Sequence, residues 1–390
     1  MIYFYWTAGI LLGAIWMSRV IDAASGMSKL PDIAGPEWDR VPANSPAPLV
    51  SIIVPARNEH ECIAQTLTSL LEQDYENSEV IAVDDRSTDT TGAIMDRLAN
   101  ERNAVAGLKV VHISALPPGW MGKAHAMWTG AQHSTGDWLL FTDGDINFRS
   151  DSLRRAIVYA EETRADHLVL FPTLIMHSVG ERMMLAFFQI LFVFGHRPWK
   201  VADPHARDHM GVGAFNLIRR RAYDAVGTYR SLRFEVLDDM KLGKVVKESG
   251  FAQRVAFGKG LITLRWAKNA MGVVGNLTKN LFSVMQFRWP LALGGCLAIA
   301  FLNWMPFVGI FLAPGWGRVG YLVALVAIFL IYVGVSWHTP IPPFYFFLHP
   351  LATLLFIYTM VKSTTVTLWR GGVIWRGTFY PLDQLRRGRV

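Results

Sequence analysis

Between Leu291 and Val361 the chain carries a single charged side chain, Arg318. The rest of that stretch divides into three apolar runs, 291–313, 319–337 and 343–361, each close to the ~20 residues a helix needs to cross a bilayer. Backbone N–H and C=O groups have no water to bind in hydrocarbon, so runs of this kind are confined to helices. None of the three holds Asp, Glu, Lys or Arg. A transporter keeps ionisable groups inside its helices for its cargo, so transport is disfavoured and 291–362 reads as transmembrane helices. At the other end, residues 2–17 are uncharged, and the apolar character continues to Ile21 around Arg19. A cleaved signal opens on positive charge and closes on small residues. This segment does neither, so 1–21 reads as an N-terminal membrane anchor helix, and 22–48, rich in Pro and polar groups from 31 onward, as a linker.

Two shorter apolar stretches call for another reading. Residues 183–194 are too few to span, and with their flanks they are expected to form an interfacial helix over 183–197, a core helix being the plainer alternative. Residues 271–290 read as an interfacial amphipathic segment. The tail, 363–390, is basic, with Arg370, Arg376, Arg386, Arg387 and Arg389. Hydrophobic residues are 52% of the chain and charged ones 18%. Lys and Arg exceed Asp and Glu by 38 − 31 = 7, an excess that suits loops facing an anionic leaflet. No basic run is interleaved with stacking aromatics, which argues against nucleic acid as a partner. Cys62 and Cys296 support neither a disulfide framework nor a cysteine zinc site.

From Leu49 to about 270 the pattern changes. Short β-branched runs recur at 50–54, 80–83, 109–113, 138–142 and 167–171, separated by helical stretches. This alternation predicts right-handed βαβ units, hence an α/β domain with a mostly parallel, Rossmann-like sheet. Ligands bind such sheets outside the carboxyl ends of the strands. Asp84-Asp85 and Asp143-Gly144-Asp145 follow two of the buried runs and fall at that edge. Pro55-Ala56-Arg57-Asn58-Glu59 follows the first strand, where Asn58 or Glu59 can cap a helix start. Gly119-Trp120-Met121-Gly122-Lys123 lies between the two acidic stations, with His125 expected on a polar face. A third acidic pair, Asp238-Asp239, stands at a helix start, where the helix dipole alone would favour it. Gln286-Phe287-Arg288-Trp289 precedes the apolar runs, where a Trp-Arg anchor is common. His205 and His209 are four apart, but Ala206 replaces the Glu of H-E-x-x-H, so a zinc hydrolase is excluded.

Taken in order, these motifs resemble the family 2 glycosyltransferases, whose fold is called GT-A. The resemblance covers roughly residues 48–289 and continues into Trp369–Gly377. Within the family it is closest to membrane-bound lipid enzymes of the ceramide glucosyltransferase-like, hopanoid-associated and carotenoid groups. It implies a donor site of Pro55, Ala56, Arg57, Glu59, Asp84, Asp85, Lys123, Asp143, Gly144, Asp145, Gly213, Arg288 and Trp289. Asp85 or Asp84 would accept hydrogen bonds from uracil, and Asp145 with Asp143 would hold Mg²⁺ or Mn²⁺ against the diphosphate. Lys123 and Arg288 would contact that diphosphate, and Asp239, or its neighbour Asp238, would act as the base. Gly211–Phe215 resembles the strand beneath the donor sugar, with Arg219-Arg220-Arg221 expected to face phosphate or lipid. The implied reaction is inverting, metal-dependent hexosyl transfer from a nucleotide sugar, by resemblance a UDP-sugar, to a membrane lipid hydroxyl. One residue is missing from Q-x-x-R-W, which leaves Met285 at the Gln position. A processive polysaccharide synthase expects that motif intact and is the alternative, with a non-catalytic membrane scaffold and a nucleotidyltransferase behind it. The protein is expected to be multi-pass with its catalytic part facing the cytoplasm. Four spans would put the basic tail outside, against the positive-inside rule. One segment, either 343–361 or the N-terminal one, is therefore expected not to span.

Overall fold

The computed structural model describes residues 2–43, 46–101 and 107–387. In chain order its first elements are α1 (Ile2–Met27), β1 (Val50–Ala56), α2 (Ile63–Leu71), β2 (Ser78–Asp85), α3 (Thr91–Glu101), β3 (Leu108–Ile113), α4 (Gly122–Gln132) and β4 (Trp138–Phe141). The domain continues through β5 (Asn147–Phe148), α5 (Ser152–Glu162), β6 (His167–Phe171), β7 (Thr173–Leu174), α6 (Val179–Gly195) and β8 (Asn216–Arg219). It closes with α7 (Arg220–Ala225), α8 (Asp238–Glu248), β9 (Gln253–Phe257) and β10 (Ile262–Leu264). Then come α9 (Ala270–Thr278), α10 (Leu281–Val284), α11 (Trp289–Leu312), α12 (Arg318–His338), α13 (His349–Arg370), the hairpin β11 (Gly372–Trp375) and β12 (Thr378–Pro381), and α14 (Leu382–Arg387).

Seven strands make the main sheet in the order β3-β2-β1-β4-β8-β6-β9. All neighbouring pairs are parallel except those that β8 makes with β4 and β6. Strand β1 is buried throughout, as expected of a parallel strand covered on both faces. Its period-2 alternation sends Ile52 and Val54 to one face, against Ile63 and Leu67 of α2 and Ile157 of α5. Ile53 goes to the other, with Met127 of α4 and Leu242 and Val246 of α8. Val373 and Tyr380 of the C-terminal hairpin join that second face. The tail is therefore part of the domain's packing.

Below β6, buried His167 anchors a polar network that places one side of the candidate site. Its Nε2 lies 3.1 Å from Asn216 Oδ1 and its Nδ1 2.6 Å from Gln253 Nε2. The Gln253 amide also bonds Met210 N and O and Gly243 O. Gln253 thus ties the 210–213 loop and α8 to the sheet.

Residues 22–48 are largely not a free linker. Residues 22–27 continue α1, buried Ile33 joins the core, and Asp32 bridges β9 at Phe257. Arg155 holds this segment through the Gly35 carbonyl at 2.6 Å. Residues 44–45 of the segment, and Arg389 of the tail, lie outside the described residues.

Among the described residues, five helical segments are long and apolar enough to cross a membrane: 3–27, 179–200, 289–312, 315–338 and 343–370. The segment expected as a twelve-residue apolar run is a 17-residue helix. Its start is set by a capping box, Ser178 with Glu181, upstream of the apolar residues. Topology nevertheless bars α6 from carrying the chain across. Strands β1–β4 and β6 precede it, β8 and β9 follow it, and all share one sheet.

The same reasoning orders the C-terminal helices. The chain leaves the α/β domain at Trp289, and by Val373 it is again packed on that domain. His338, at the end of α12, stacks on Phe257 of β9 at 4.6 Å. Helices α11 and α12 are therefore an out-and-back pair. Helix α13 begins midway along α11, where His349 Nε2 meets Asn303 Oδ1 at 3.1 Å and Trp304 Nε1 bonds the Pro350 carbonyl. It then runs back towards the α/β domain, where Ser363 bonds Thr278 and Phe282. The segment expected at 343–361 is part of a stretch, 343–370, long and apolar enough to cross a membrane, and its helix starts midway along α11. Helix α1 runs alongside α12 through close glycine contacts, Gly9 on Gly317 and Gly13 on Gly320, the small-residue packing typical of helices in lipid. Leu293, Leu297, Leu322 and Leu351 remain exposed on the outside of this bundle, as a lipid-facing wall requires.

Two outcomes test this architecture. An epitope placed at Gly315 and one at the C-terminus should be digested from opposite sides of sealed membrane vesicles; protection on the same side would contradict the paired crossing of α11 and α12. Burial lowers the pKa of His167 to about 4, from about 6.5 in an unfolded chain. The associated stability is complete above about 6.5 and is lost as the pH falls towards 4, amounting to about 3 kcal/mol. Thermal unfolding of the solubilised protein should show this acid dependence, flattened over that window in His167→Asn.

Candidate active site

Strands β1, β2 and β4 end together. Ala56 pairs with Asp84, and Ile53 pairs with Phe141, so the residues after each strand gather at one carboxyl edge. There the strand order departs in opposite directions from β1, the position at which open α/β sheets leave a crevice. A solvent-open cleft of about 370 Å³ occupies it. Pro55, Ala56, Arg57, Asp85, Lys123 and Asp143, all singled out in the sequence, line this cleft.

The structure separates the two aspartates of the first station. Asp84 serves the turn: its Oδ1 accepts the Ser87 N–H at 3.1 Å and its Oδ2 lies 3.1 Å from His112 Nδ1. Hydrogen bonds to Asp96 and Asp84 raise the pKa of His112. Asp85 faces the cleft, gripped by Arg86 through bonds of 2.7 and 3.1 Å. Gly122 is needed beside it, because a Cβ there would sit 2.5 Å from Asp85 Oδ2.

Lys123, in the first turn of α4, joins the other two stations. Its Nζ lies 2.7 Å from Asp143 Oδ1 and 3.8 Å from Asp238 Oδ1. Burial works to lower its pKa, but Asp143, Asp238 and Asp239 outweigh that and hold the ammonium charged. Asp238 and Asp239 occupy the first turn of α8. Asp238 is buried, and its Oδ2 has no hydrogen-bond partner. Burial raises its pKa; Lys123 opposes this, while Asp239 and Asp143 reinforce it. Asp239 is half-buried, with Oδ1 accepting the Met240 N–H at 2.7 Å. Its pKa too is raised, chiefly by burial, with Lys123 and the Gly213 N–H working the other way. Gly211 and Gly243 lock this corner, since a Cβ on either would collide with the backbone of Asp239 or Met210.

Asp145 opens to solvent on one side, with protein around most of the remainder. Burial, then Asp143 and Glu59, raise its pKa. Thr66 Oγ1 fixes the loop by donating to the Gly144 carbonyl at 2.9 Å. The crowding of oxygen-only carboxylates at 143 and 145 fits a hard divalent cation. Among the described residues, no three His, Cys, Asp or Glu side chains converge to hold a metal by themselves.

Three residues that were not expected there, Trp375, Arg376 and Tyr380, line the cleft from the C-terminal hairpin. Lys279, after α9, lies behind one of them, 4.8 Å from the Trp375 ring. A sequence signal for the hairpin did exist: Arg376-Gly377, both with positive φ, between runs rich in aromatic and β-branched residues. Nothing in the sequence aims it at this cleft.

Other expected positions lie elsewhere. Arg288 and Trp289 are exposed and do not line the cleft. Gln286 and Phe287 both take positive φ, 55° and 54°; this reversal buries Phe287 and carries Arg288 outward to the head of α11. The three consecutive arginines sit at the opposite end of the sheet and serve the fold. Arg219 bonds Glu161, Arg220 bonds the Gly136 carbonyl, and Arg221 bonds Asp166. His125 is buried between Trp120 and Trp128 rather than on a polar face.

The family described as Glycosyl transferase family 2 matches residues 51–239, a stretch that holds all three acidic stations. The 4,4'-diaponeurosporenoate glycosyltransferase of Staphylococcus aureus (strain USA300) is 24% identical over 344 residues, covering 86% of this chain and 89% of its own length. The protein of the same name from Staphylococcus haemolyticus (strain JCSC1435) is 24% identical over 220 residues, 55% of this chain and 56% of its own. That second match spans just over half of the relative. Among solved structures, the mannosyltransferase PcManGT from Pyrobaculum calidifontis, in complex with GDP-Man and Mn²⁺, superposes with a TM-score of 0.54 at 19% identity. The superposition covers 94% of this chain and 99% of that one, and it shows a shared fold.

Gly213 offers a test of the carboxylate cradle. A Cβ there would stand 2.6 Å from Asp143 Oδ2 and 3.4 Å from Lys123 Nζ. Gly213→Ala should weaken Mn²⁺ binding, followed by titration of the solubilised protein, by about tenfold without lowering the unfolding temperature. Gly275→Ala, with open space around it, should leave both unchanged. Equal Mn²⁺ affinity in the two variants would remove Asp143 from the cation site.

Proposed function

This chain carries a family 2 glycosyltransferase domain with the GT-A fold, and we propose that it moves a sugar from a nucleotide sugar, a UDP-sugar, to a membrane lipid hydroxyl with inversion. One observation carries the reading: Asp143 and Asp238 converge on the single ammonium of Lys123, with Asp239 beside them, in the cleft that Asp85 also faces. The names of the relatives support a lipid-type acceptor.

In this mechanism Asp85 receives the base of the donor, while Asp84 stays committed to the turn beneath it. Asp145, with Asp143, would hold Mg²⁺ or Mn²⁺, which would supply charge neutralisation for the departing diphosphate. Lys123 adds a fixed positive charge at the same place, and a charge aimed in advance at a leaving group costs no reorganisation during the reaction. Asp239 takes the proton from the attacking hydroxyl. It is the more open of its pair, whereas Asp238 is buried and keeps Lys123 in position. Direct attack by the deprotonated hydroxyl on the sugar, with the diphosphate leaving from the opposite side, would invert the anomeric configuration.

The acceptor comes from the membrane. The apolar outer faces of α11 and α12 set the domain against a bilayer, and α6 lies along its surface. With α1 and the α11–α12 pair crossing, the catalytic domain and the basic tail share one side. The positive-inside rule assigns that side to the cytoplasm.

Asp239→Asn should lower sugar transfer into extracted lipid by about 10²–10⁴-fold, the usual contribution of a general base. UDP binding in that variant should stay within about twofold of wild type. Turnover close to normal would remove Asp239 as the base, and loss of UDP binding would make it a donor ligand instead.

A further inference from the structure

We propose that the C-terminal hairpin is a wall of the donor site, and that Arg376 with Lys279 grips the diphosphate of a bound nucleoside diphosphate. This deepens the donor-site reading above and rests on it.

The hairpin is fixed by three contacts to two separate elements, the segment after β1 and the start of α4. Tyr380 Oη accepts the Gly122 N–H at 3.0 Å, beside Lys123. Arg57 Nη1 donates to Thr378 Oγ1 at 3.1 Å, and Arg376 pairs with Glu59 at 2.6 Å. A structural clip would need nothing more. Two buried donors at the cleft, however, have no acceptor: Arg57 Nε and Trp375 Nε1. A buried N–H left unpaired costs about 1–3 kcal/mol, and both residues line the same cleft from opposite elements. Their common requirement is a ligand bearing acceptor oxygens.

The surrounding charge specifies which oxygens. Lys279 is held over the Trp375 ring at 4.8 Å, and its pKa is lowered by burial and by the proximity of Lys123 and Arg376. Positive charges gathered in and beside a cleft are relieved by an anion, and a planar guanidinium matches phosphate with paired bonds. Arg288, the expected partner of that diphosphate, has turned away to the head of α11. Lys279 and Arg376 supply the cationic contacts from two later segments of the chain.

The test uses the full chain in detergent, with binding of UDP and uridine, and of GDP and guanosine, measured by calorimetry or competition. Arg376→Ala and Lys279→Ala should each weaken nucleoside diphosphate binding by about tenfold to a hundredfold, as expected for a lost charge-assisted bond. Nucleoside affinity should be unchanged. Arg376→Lys should recover part of the loss, and Arg370→Ala, at the exposed end of α13, should have no effect. Diphosphate affinity within about twofold of wild type in both alanine variants would overturn the proposal and leave the hairpin a clip. Equal losses for diphosphate and nucleoside would overturn it too, since the residues would then shape the pocket without touching phosphate. A wild-type protein that binds neither UDP nor GDP would sink the donor-site reading itself, a result distinct from either.

Discussion

The buried ammonium of Lys123 is the interaction on which the site depends. Three carboxylates from two distant parts of the chain surround it, and without it Asp143, Asp238 and Asp239 would repel one another at short range in a poorly solvated corner. Isolated charges are too costly to bury, and mutually compensating ones are tolerated. Lys123 therefore does more than face a substrate, because it permits the acidic stations to coexist. The backbone is built to match. Gly122, Gly211, Gly213 and Gly243 stand where any Cβ would strike a carboxylate or a neighbouring carbonyl, and the Gln253–His167 network keeps α8 and the 210–213 loop in register with the sheet.

Membrane and catalytic parts are joined by the same economy of geometry. A single sheet built from strands on both sides of α6 keeps that helix with the domain, where Met183 to Phe187 and Ile190 are buried. A tail packed on the catalytic core forces the helices before it to return. The pair α11–α12, helix α13 and the hairpin form one continuous path from the apolar helices back to the cleft, which Trp375, Arg376 and Tyr380 line.

Much of this was legible beforehand. The strand runs at 50–54, 80–83 and 138–142 stand out because parallel strands buried on both faces read as continuous apolar stretches. The acids that follow them were placeable because ligands bind at strand carboxyl ends. The arginine triplet 219–221 shows where such reading misleads: three adjacent cations look like an anion site, yet each has its own carboxylate or carbonyl at the opposite end of the sheet. Arg288 is a similar case, moved out of the cleft by two consecutive left-handed residues that no periodicity announces.

By itself, then, the sequence determined the class of the domain, the lipid-facing character of both ends and the order of the acidic stations. Each of these follows from local periodicity, or from the absence of charge over a long window. Only the tertiary structure decided that Asp85 and not Asp84 faces the cleft, that the chain returns to the α/β domain after its apolar helices, and that Arg376 shares the cleft with Lys123. The last two depend on contacts between residues far apart in the chain, and such contacts are settled by packing, which leaves no mark on neighbouring residues.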